Sequence, residues 1–242
     1  MKPWSEGRLC GFDLETTGVS VEEDRVVTAC VALVGGGAPT ESRTWLVDPG
    51  VEIPEEATAV HGITTGTARA EGRPAGEVVT EIVTALAEAQ RAGIPIVAMN
   101  ASFDLTILDR EARRHGVAAL GDLLPAARLR VIDPRVLDKE VDTYRPGGRR
   151  LEDLCRHYRV ALDGAHRADA DAVAACRVAW RIARTEPAIG HTALDTLHQR
   201  QITWARDQAT SLADYFRRTP GKETWAADVR TEWPLIPAQR TR

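Results

Sequence analysis

The 242-residue chain has only four cysteines, Cys10, Cys30, Cys155 and Cys176, and no two of them form a C-x-x-C pair. That spacing excludes the common structural zinc sites. All four sit in apolar surroundings and read as small core residues, so no disulfide framework is needed. Long apolar runs are also missing. The longest, near Val26–Val34, is too short to span a bilayer. The opening segment MKPWSEGRLCGFDLE carries neither a leader nor an anchor pattern. No membrane association and a cytoplasmic location are therefore expected. Lysine occurs only at Lys2, Lys139 and Lys222, and the formal net charge is −4, so bulk charge does not advertise a polyanionic partner. The charge distribution is more informative. Lys and Arg outnumber Asp and Glu between Arg128 and Arg159, with Arg145, Arg149 and Arg150 clustered around Pro146-Gly147-Gly148. Such a patch can hold phosphates or be a solvated loop.

What is present reads as an α/β domain. Leu9–Leu14, Val26–Val34 and Ser42–Val47 are β-rich runs with turn signals between them, a pattern that predicts an antiparallel meander. Val78, Val79, Ile82, Val83, Leu86 and Ala89 recur at helical spacing, and Gly93 and Pro95 end that helix. A short strand at Ile96–Met99, a helix over Ala101–His115 and a strand near Leu129–Ile132 follow. A short helix around Leu151–Tyr158 and a long one over Ala168–Arg184 come next. This order predicts a mixed five-stranded sheet flanked by helices over residues 5–186. Thr185-Glu186-Pro187 reads as the exit. Residues 187–242 are expected to form a C-terminal helix, about Thr192–Arg217, and a tail whose tryptophans pack on the domain or on a partner chain.

Three segments carry chemistry. Asp13 and Glu15 are two apart at the end of the first strand, so both carboxylates project from one face. Thr16-Thr17-Gly18 follows with small side chains and hydrogen-bond donors beside them. Asn100 and Asp104 open the helix after the fourth strand, where α/β folds place ligands; the pair also suits an N-cap and the helix dipole. Asp171 falls on the inward stripe of the long helix, between Ala168 and Ala175, and a carboxylate there needs a partner. Asp169 points away and reads as solvated. His166 belongs to the loop before that helix, at a spacing that lets it face one site with Asp171. Four carboxylates without paired His or Cys favour Mg²⁺ or Mn²⁺, and a pair of such ions can activate water and stabilise a leaving oxygen in phosphodiester hydrolysis.

The segments FDLETTG, NASFD and HRADAD, in this order, resemble the three motifs of the DEDDh (DnaQ-like) 3′→5′ exonucleases, the family of the proofreading epsilon subunit of bacterial DNA polymerase III. The resemblance covers about residues 7–184. It implies an RNase H-like fold and hydrolysis at the 3′ end of single-stranded DNA, releasing nucleoside 5′-monophosphates. It assigns Asp13, Glu15 and Asp171 to one metal ion, Asp13 as bridge to a second, and Asp104 as support for that second ion. His166 becomes the general base. The stretch Ile53–Thr64 also matches, which implies that Glu56 meets the terminal sugar and His61 the nucleotide. Thr16, Thr17 and Asn100 would bind substrate. Phe103 would pack either near the nucleotide or in the core. An RNA 3′ exonuclease of the same family and a non-catalytic nucleic-acid-binding module are the alternative functions. A DNA polymerase or a second copy of the chain is a possible partner in this reading. No polymerase or helicase region is discernible, so a separate exonuclease chain is expected. Gln208–Phe216 only faintly resembles a sliding-clamp-binding peptide, with its hydrophobic positions at the wrong offset.

Overall fold

The computed structural model describes residues 3–125, 128–162 and 166–238. Three long strands, β1 (Arg8–Thr16), β2 (Val26–Gly35) and β3 (Glu41–Asp48), form the expected antiparallel meander. Two helices follow, α1 (Glu55–His61) and α2 (Thr65–Glu71), and then a two-residue strand, β4 (Arg73–Pro74). The remainder alternates: α3 (Ala75–Arg91), β5 (Ile96–Val97), α4 (Ala101–Arg114), α5 (Leu120–Leu123), β6 (Val131–Ile132), α6 (Pro134–Val141), α7 (Leu151–Tyr158) and α8 (Ala168–Thr185). A single turn, α9 (Pro187–Gly190), leads to the long α10 (Leu194–Arg218). Among the described residues, no helix is long and apolar enough to cross a membrane.

The sheet order is β4-β3-β2-β1-β5-β6, with β5 and β6 parallel to β1. The five expected strands are present and a sixth is added. That sixth, β4, pairs parallel with Val47–Asp48. It is two residues long and contains a proline, so it has no hydrophobic alternation by which to be recognised. Gly72 permits the pairing, because a Cβ there would lie 2.3 Å from the Ala68 carbonyl and 2.5 Å from Asp48 N.

Strand alternation divides the core into two layers. Cys10, Phe12 and Leu14 face α3 and α4, in a cluster with Val79, Ile82, Leu86, Ile107 and Leu108. Leu9 faces the other way, with Cys30, Ala32 and Val34 of β2, against Ala172, Ala175, Cys176 and Ala179 of α8. All four cysteines are buried and unpaired, as expected. The small residues on α8 let it lie close to β1. Gly11 is the limiting point, since a Cβ there would sit 2.4 Å from the Ala172 carbonyl.

The C-terminal extension completes the sheet edge. Strand β6 is the last in the sheet, and an open edge exposes unpaired backbone groups. Side chains of α10 pair with them. His198 Nδ1 accepts from Val131 N at 3.2 Å, Gln201 Oε1 accepts from Asp133 N at 2.8 Å, and Gln201 Nε2 donates to the Val131 carbonyl at 2.9 Å. Trp233 of the tail is buried and its indole N–H donates to Asp133 at 3.3 Å. The tail then runs along α4, where Ile236 N donates to Thr106 Oγ1 and Arg110 donates to the Ile236 carbonyl. The expectation that the tail's tryptophans pack on the domain holds for Trp233; Trp225 stays half exposed.

Candidate active site

The site forms where β1 outruns β5. Cys10 N donates to the Pro95 carbonyl, the first rung of the parallel ladder. Backbone donors on one side of a strand recur every second residue. Because β5 stops at Val97, Leu14 N has no strand partner on that side. Asp104, in the first turn of α4, supplies one: its Oδ1 accepts from Leu14 N at 3.1 Å. One side chain thereby ties α4 to the end of β1 and brings a buried carboxylate beside Asp13.

The opposite layer supplies the third element. Asp13 and Glu15 project from the face of β1 that α8 covers, and Asp171 stands one residue before Ala172, the closest point between α8 and β1. Asp13, Glu15 and Asp171 can each offer a carboxylate oxygen such that all three atoms lie within 4.8 Å of one another. A β-bulge between Glu15 and Thr16 breaks the β1–β2 register directly after the pair. Bulges commonly re-aim a side chain in this way beside functional sites.

Electrostatics mark the cluster as uncompensated. Burial pushes the Asp13 carboxyl well above the usual range, and the neighbouring Asp104, Asp171 and Glu15 add to the effect. Glu15 is pushed up to about 7, first by burial and then by Asp171. Asp171 rises to about 6, again chiefly through burial, against the opposing hydrogen bond from the His166 backbone. Asp104 is raised by burial despite its bond from Leu14 N. Among the described residues, Asp171 Oδ1 is buried without a hydrogen-bond partner. A converging set of hard oxygen donors, one of them orphaned, fits a divalent cation.

The remaining residues fall into place less uniformly. His166 lies just before α8, as the spacing predicted, in a left-handed conformation (φ 63°). Its backbone N donates to Asp171 Oδ2 at 3.2 Å, while its exposed imidazole pairs through Nε2 with Glu152 at 3.2 Å. Glu15, His61 and His166 line one cleft, with Thr28, Thr44 and Asp169. His61 ends α1. Its Nδ1 accepts from Ile63 N, its Nε2 is buried with no hydrogen-bond partner among the described residues, and burial holds the imidazole below its ordinary value. Glu56 is exposed in the first turn of α1.

Other residues singled out from the sequence are engaged within the fold. The Thr17 hydroxyl donates to Asp24 Oδ1 at 2.7 Å and accepts from Arg25 N, closing the turn. The Thr16 hydroxyl donates to the Gly18 carbonyl. Asn100 occupies the N-cap position of α4 in a left-handed conformation, but its side chain makes no cap and instead accepts from Arg135 at 2.7 Å. The capping carboxylate is Asp133, which accepts from both Asn100 N and Ala101 N. Asp133 was legible as Asp-Pro at a helix start, an N-cap followed by proline at the first helical position. Of the basic cluster, Arg145 and Arg149 are engaged by the fully buried Asp138, at 2.9 and 2.8 Å, with Tyr158 as its third donor. They pin a loop. Phe103 is partly buried against the core. Gln208 donates to the Val136 carbonyl and belongs to the α10–α6 contact, so it is not free as a peptide motif.

The chain is similar in sequence and in fold to known proteins. The PolC-type DNA polymerase III of Lacticaseibacillus paracasei is 27% identical over 190 residues, 78% of this chain but 12% of the relative. That of Halalkalibacterium halodurans is 28% identical over 184 residues, 75% of this chain and 12% of the relative. The chain thus spans about an eighth of the length of these relatives. Among solved structures, exonuclease I of E. coli in complex with a dA16 oligonucleotide superposes with a TM-score of 0.64 at 18% identity, covering 85% of this chain and 45% of that one. Exonuclease I from Methylocaldum szegediense gives 0.64 at 20%, covering 86% and 45%. These likenesses establish a shared RNase H-like fold. Residues 10–179 match the exonuclease family model, a span that contains Asp13, Glu15, Asp104, His166 and Asp171, and the chain therefore belongs to the DnaQ-like exonuclease family.

Proposed function

We propose that the protein is a divalent-metal-dependent 3′→5′ exonuclease of the DEDDh type, acting on the 3′ end of single-stranded DNA and releasing nucleoside 5′-monophosphates. The observation that carries this reading is the convergence of Asp13, Glu15 and Asp171, each of which offers one oxygen within 4.8 Å of the other two, with Asp171 Oδ1 unpartnered among the described residues. In this reading Asp13, Glu15 and Asp171 hold one Mg²⁺ or Mn²⁺ ion, and Asp13 and Asp104 serve a second. Bound ions of this kind lower the pKa of water and neutralise charge on the leaving oxygen. The protein's own groups do the rest. His166 precedes α8 at the mouth of the cleft, and a swing of its exposed imidazole from Glu152 toward Glu15 makes it the group that accepts the proton from the attacking water. His61 and Glu56, from opposite ends of α1, border the terminal nucleotide.

Exonuclease I is solved with single-stranded oligonucleotides and the PolC-type relatives are polymerases, which supports DNA as the substrate and a polymerase as a candidate partner. The test is digestion of 5′-labelled single-stranded DNA, duplex DNA and RNA side by side, with Mg²⁺ and with EDTA. A ladder shortening from the 3′ end of single-stranded DNA, abolished by EDTA, is expected. Faster loss of RNA would move the substrate to RNA, full activity in EDTA would refute metal dependence, and cleavage of circular strands would refute exonuclease action.

A further inference from the structure

Beside the site lies a second, larger groove. It begins at Asn100 and Ser102, in the segment that opens α4 before Asp104, and encloses about 540 Å³ between α6 and the C-terminal extension. Its two walls differ in chemistry. The α6 wall presents Arg135 and Lys139, neither of which has a carboxylate partner within salt-bridge distance among the described residues. The wall made by α10 and the following segment presents Leu212, Phe216 and Trp225. Trp225 is 51% exposed. The Phe216 ring meets its edge at 5.5 Å between centroids, and the Lys222 ammonium lies 5.4 Å from its centroid. Asp228, Arg230 and Glu232 also line the groove on the extension side, and Asp133 lines its floor, so the two cations Arg135 and Lys139 make the α6 wall the more positive of the two. The floor is built: Trp233 is buried beneath it and fixed to Asp133, the residue that caps α4.

A single polynucleotide strand has the matching asymmetry, phosphates along one side and flat bases on the other. Backbone-tracking cations opposite stacking aromatics are how sequence-tolerant single-strand binders work. We propose that this groove is the track for the strand upstream of the scissile bond, with Arg135 and Lys139 taking its phosphates and Trp225 stacking a base. The inference rests on the exonuclease reading and adds a role for residues 194–233, which lie beyond the matched family span. The half-buried Lys139 gains from a bound phosphate, since burial and then the neighbouring Arg135 and Arg149 hold its ammonium below the usual range.

The test is the affinity of fluorescein-labelled dT10 and dT2, measured by anisotropy in EDTA so that no cleavage intervenes. Trp225→Ala and Lys139→Ala are each expected to raise the Kd for dT10 about tenfold. Trp225→Phe, which keeps a stacking face, should stay near the parent. Lys139→Ala should also flatten the slope of log K against log salt by about 0.7, the loss of one phosphate contact. The Kd for dT2, which in this proposal is held at the carboxylate site alone, should not follow. Trp180→Ala, on the outer side of α8, is the control. Parent-like far-UV circular dichroism confirms folding. Unchanged dT10 affinity in both alanine variants of an active enzyme would overturn the groove and leave the exonuclease reading standing. A parent protein that neither binds nor cleaves any oligonucleotide would overturn that reading instead. Loss of self-association in Trp225→Ala with DNA affinity intact would also overturn the proposal, making the groove a protein contact.

Discussion

Gly11→Ala should damage metal binding although residue 11 touches no ligand. The new Cβ would lie 2.4 Å from the Ala172 carbonyl oxygen, 2.9 Å from its carbon and 3.0 Å from Cys176 Sγ. Two of the three atoms are backbone, so no rotamer change relieves them. Reaching an ordinary contact of 3.4 Å from 2.4 Å requires α8 and β1 to separate by about 1 Å. Asp171 adjoins Ala172 and Asp13 is two residues from Gly11, so the separation passes straight into the carboxylate cluster. Over-packing of this kind costs about 1–3 kcal/mol. In a chain of this size each kcal/mol is worth about 2–4 °C of Tm. A displacement of about 1 Å at a catalytic group can cost about 10²-fold in rate. The assay is a thermal melt with and without Mn²⁺, calorimetric titration of Mn²⁺, and turnover on single-stranded DNA. Gly121→Ala, which meets nothing within 4 Å, is the control. Parent-like Mn²⁺ affinity and turnover in a folded Gly11→Ala variant would refute the idea that α8–β1 contact sets the site.

Three further outcomes are expected. In EDTA the Tm should fall as pH rises from about 5 to about 8: Glu15 near 7 and Asp171 near 6 are raised above their unfolded values, so the native state holds more protons and loses that advantage as they leave. Added Mg²⁺ should stabilise more at the upper end of that range, and a metal-induced Tm gain independent of pH would contradict it. His166→Ala should lose about 10²–10⁴-fold in turnover while keeping metal and DNA affinity; loss of metal affinity comparable to that of Asp13→Asn would show that its role is structural. Gln201→Ala leaves Asp133 N and the Val131 carbonyl without partners and should cost about 1–3 kcal/mol by urea unfolding, so a parent-like midpoint would mean that α10 does not seal the β6 edge.

The elements legible in the sequence were those with an apolar stripe or run. The helices α3, α4 and α8 bury one face at period 3.6, and β1 and β2, buried on both faces, read as short continuous apolar runs. The helix α1 buries none of its residues and therefore carries no stripe by which to be recognised. Strand β4 was invisible for the same reason. The carboxylates of the site were legible because each stands at an element's end, where spacing fixes its direction: Asp13 and Glu15 at the end of a strand, Asp104 and Asp171 in first turns. Side-chain partners across the fold were not. Arg145 and Arg149 look like a phosphate patch until Asp138, buried on α6, is seen to bind both. The same holds for Gln201, an ordinary helical polar residue that the β6 edge draws inside.

The placement of the cluster follows from the layering. Strand β1 is covered by α8 on one face and by α3 and α4 on the other, and only at its unpaired end can carboxylates from both layers converge. The cost of that convergence is not met from within. Among the described residues, the arginines of the adjoining segments are engaged elsewhere: Arg167 with Asp169, and Arg145 and Arg149 with Asp138. An arginine directed into the cluster would neutralise it and stabilise the fold, but would occupy the space and charge that an exchangeable cation needs. Under the proposed function, the unpartnered Asp171 Oδ1 would be held in reserve as a ligand, an arrangement that gives up stability at a functional site. A divalent ion arriving from solution would then restore that stability, so that the folding free energy of the domain would report on occupancy of the cluster.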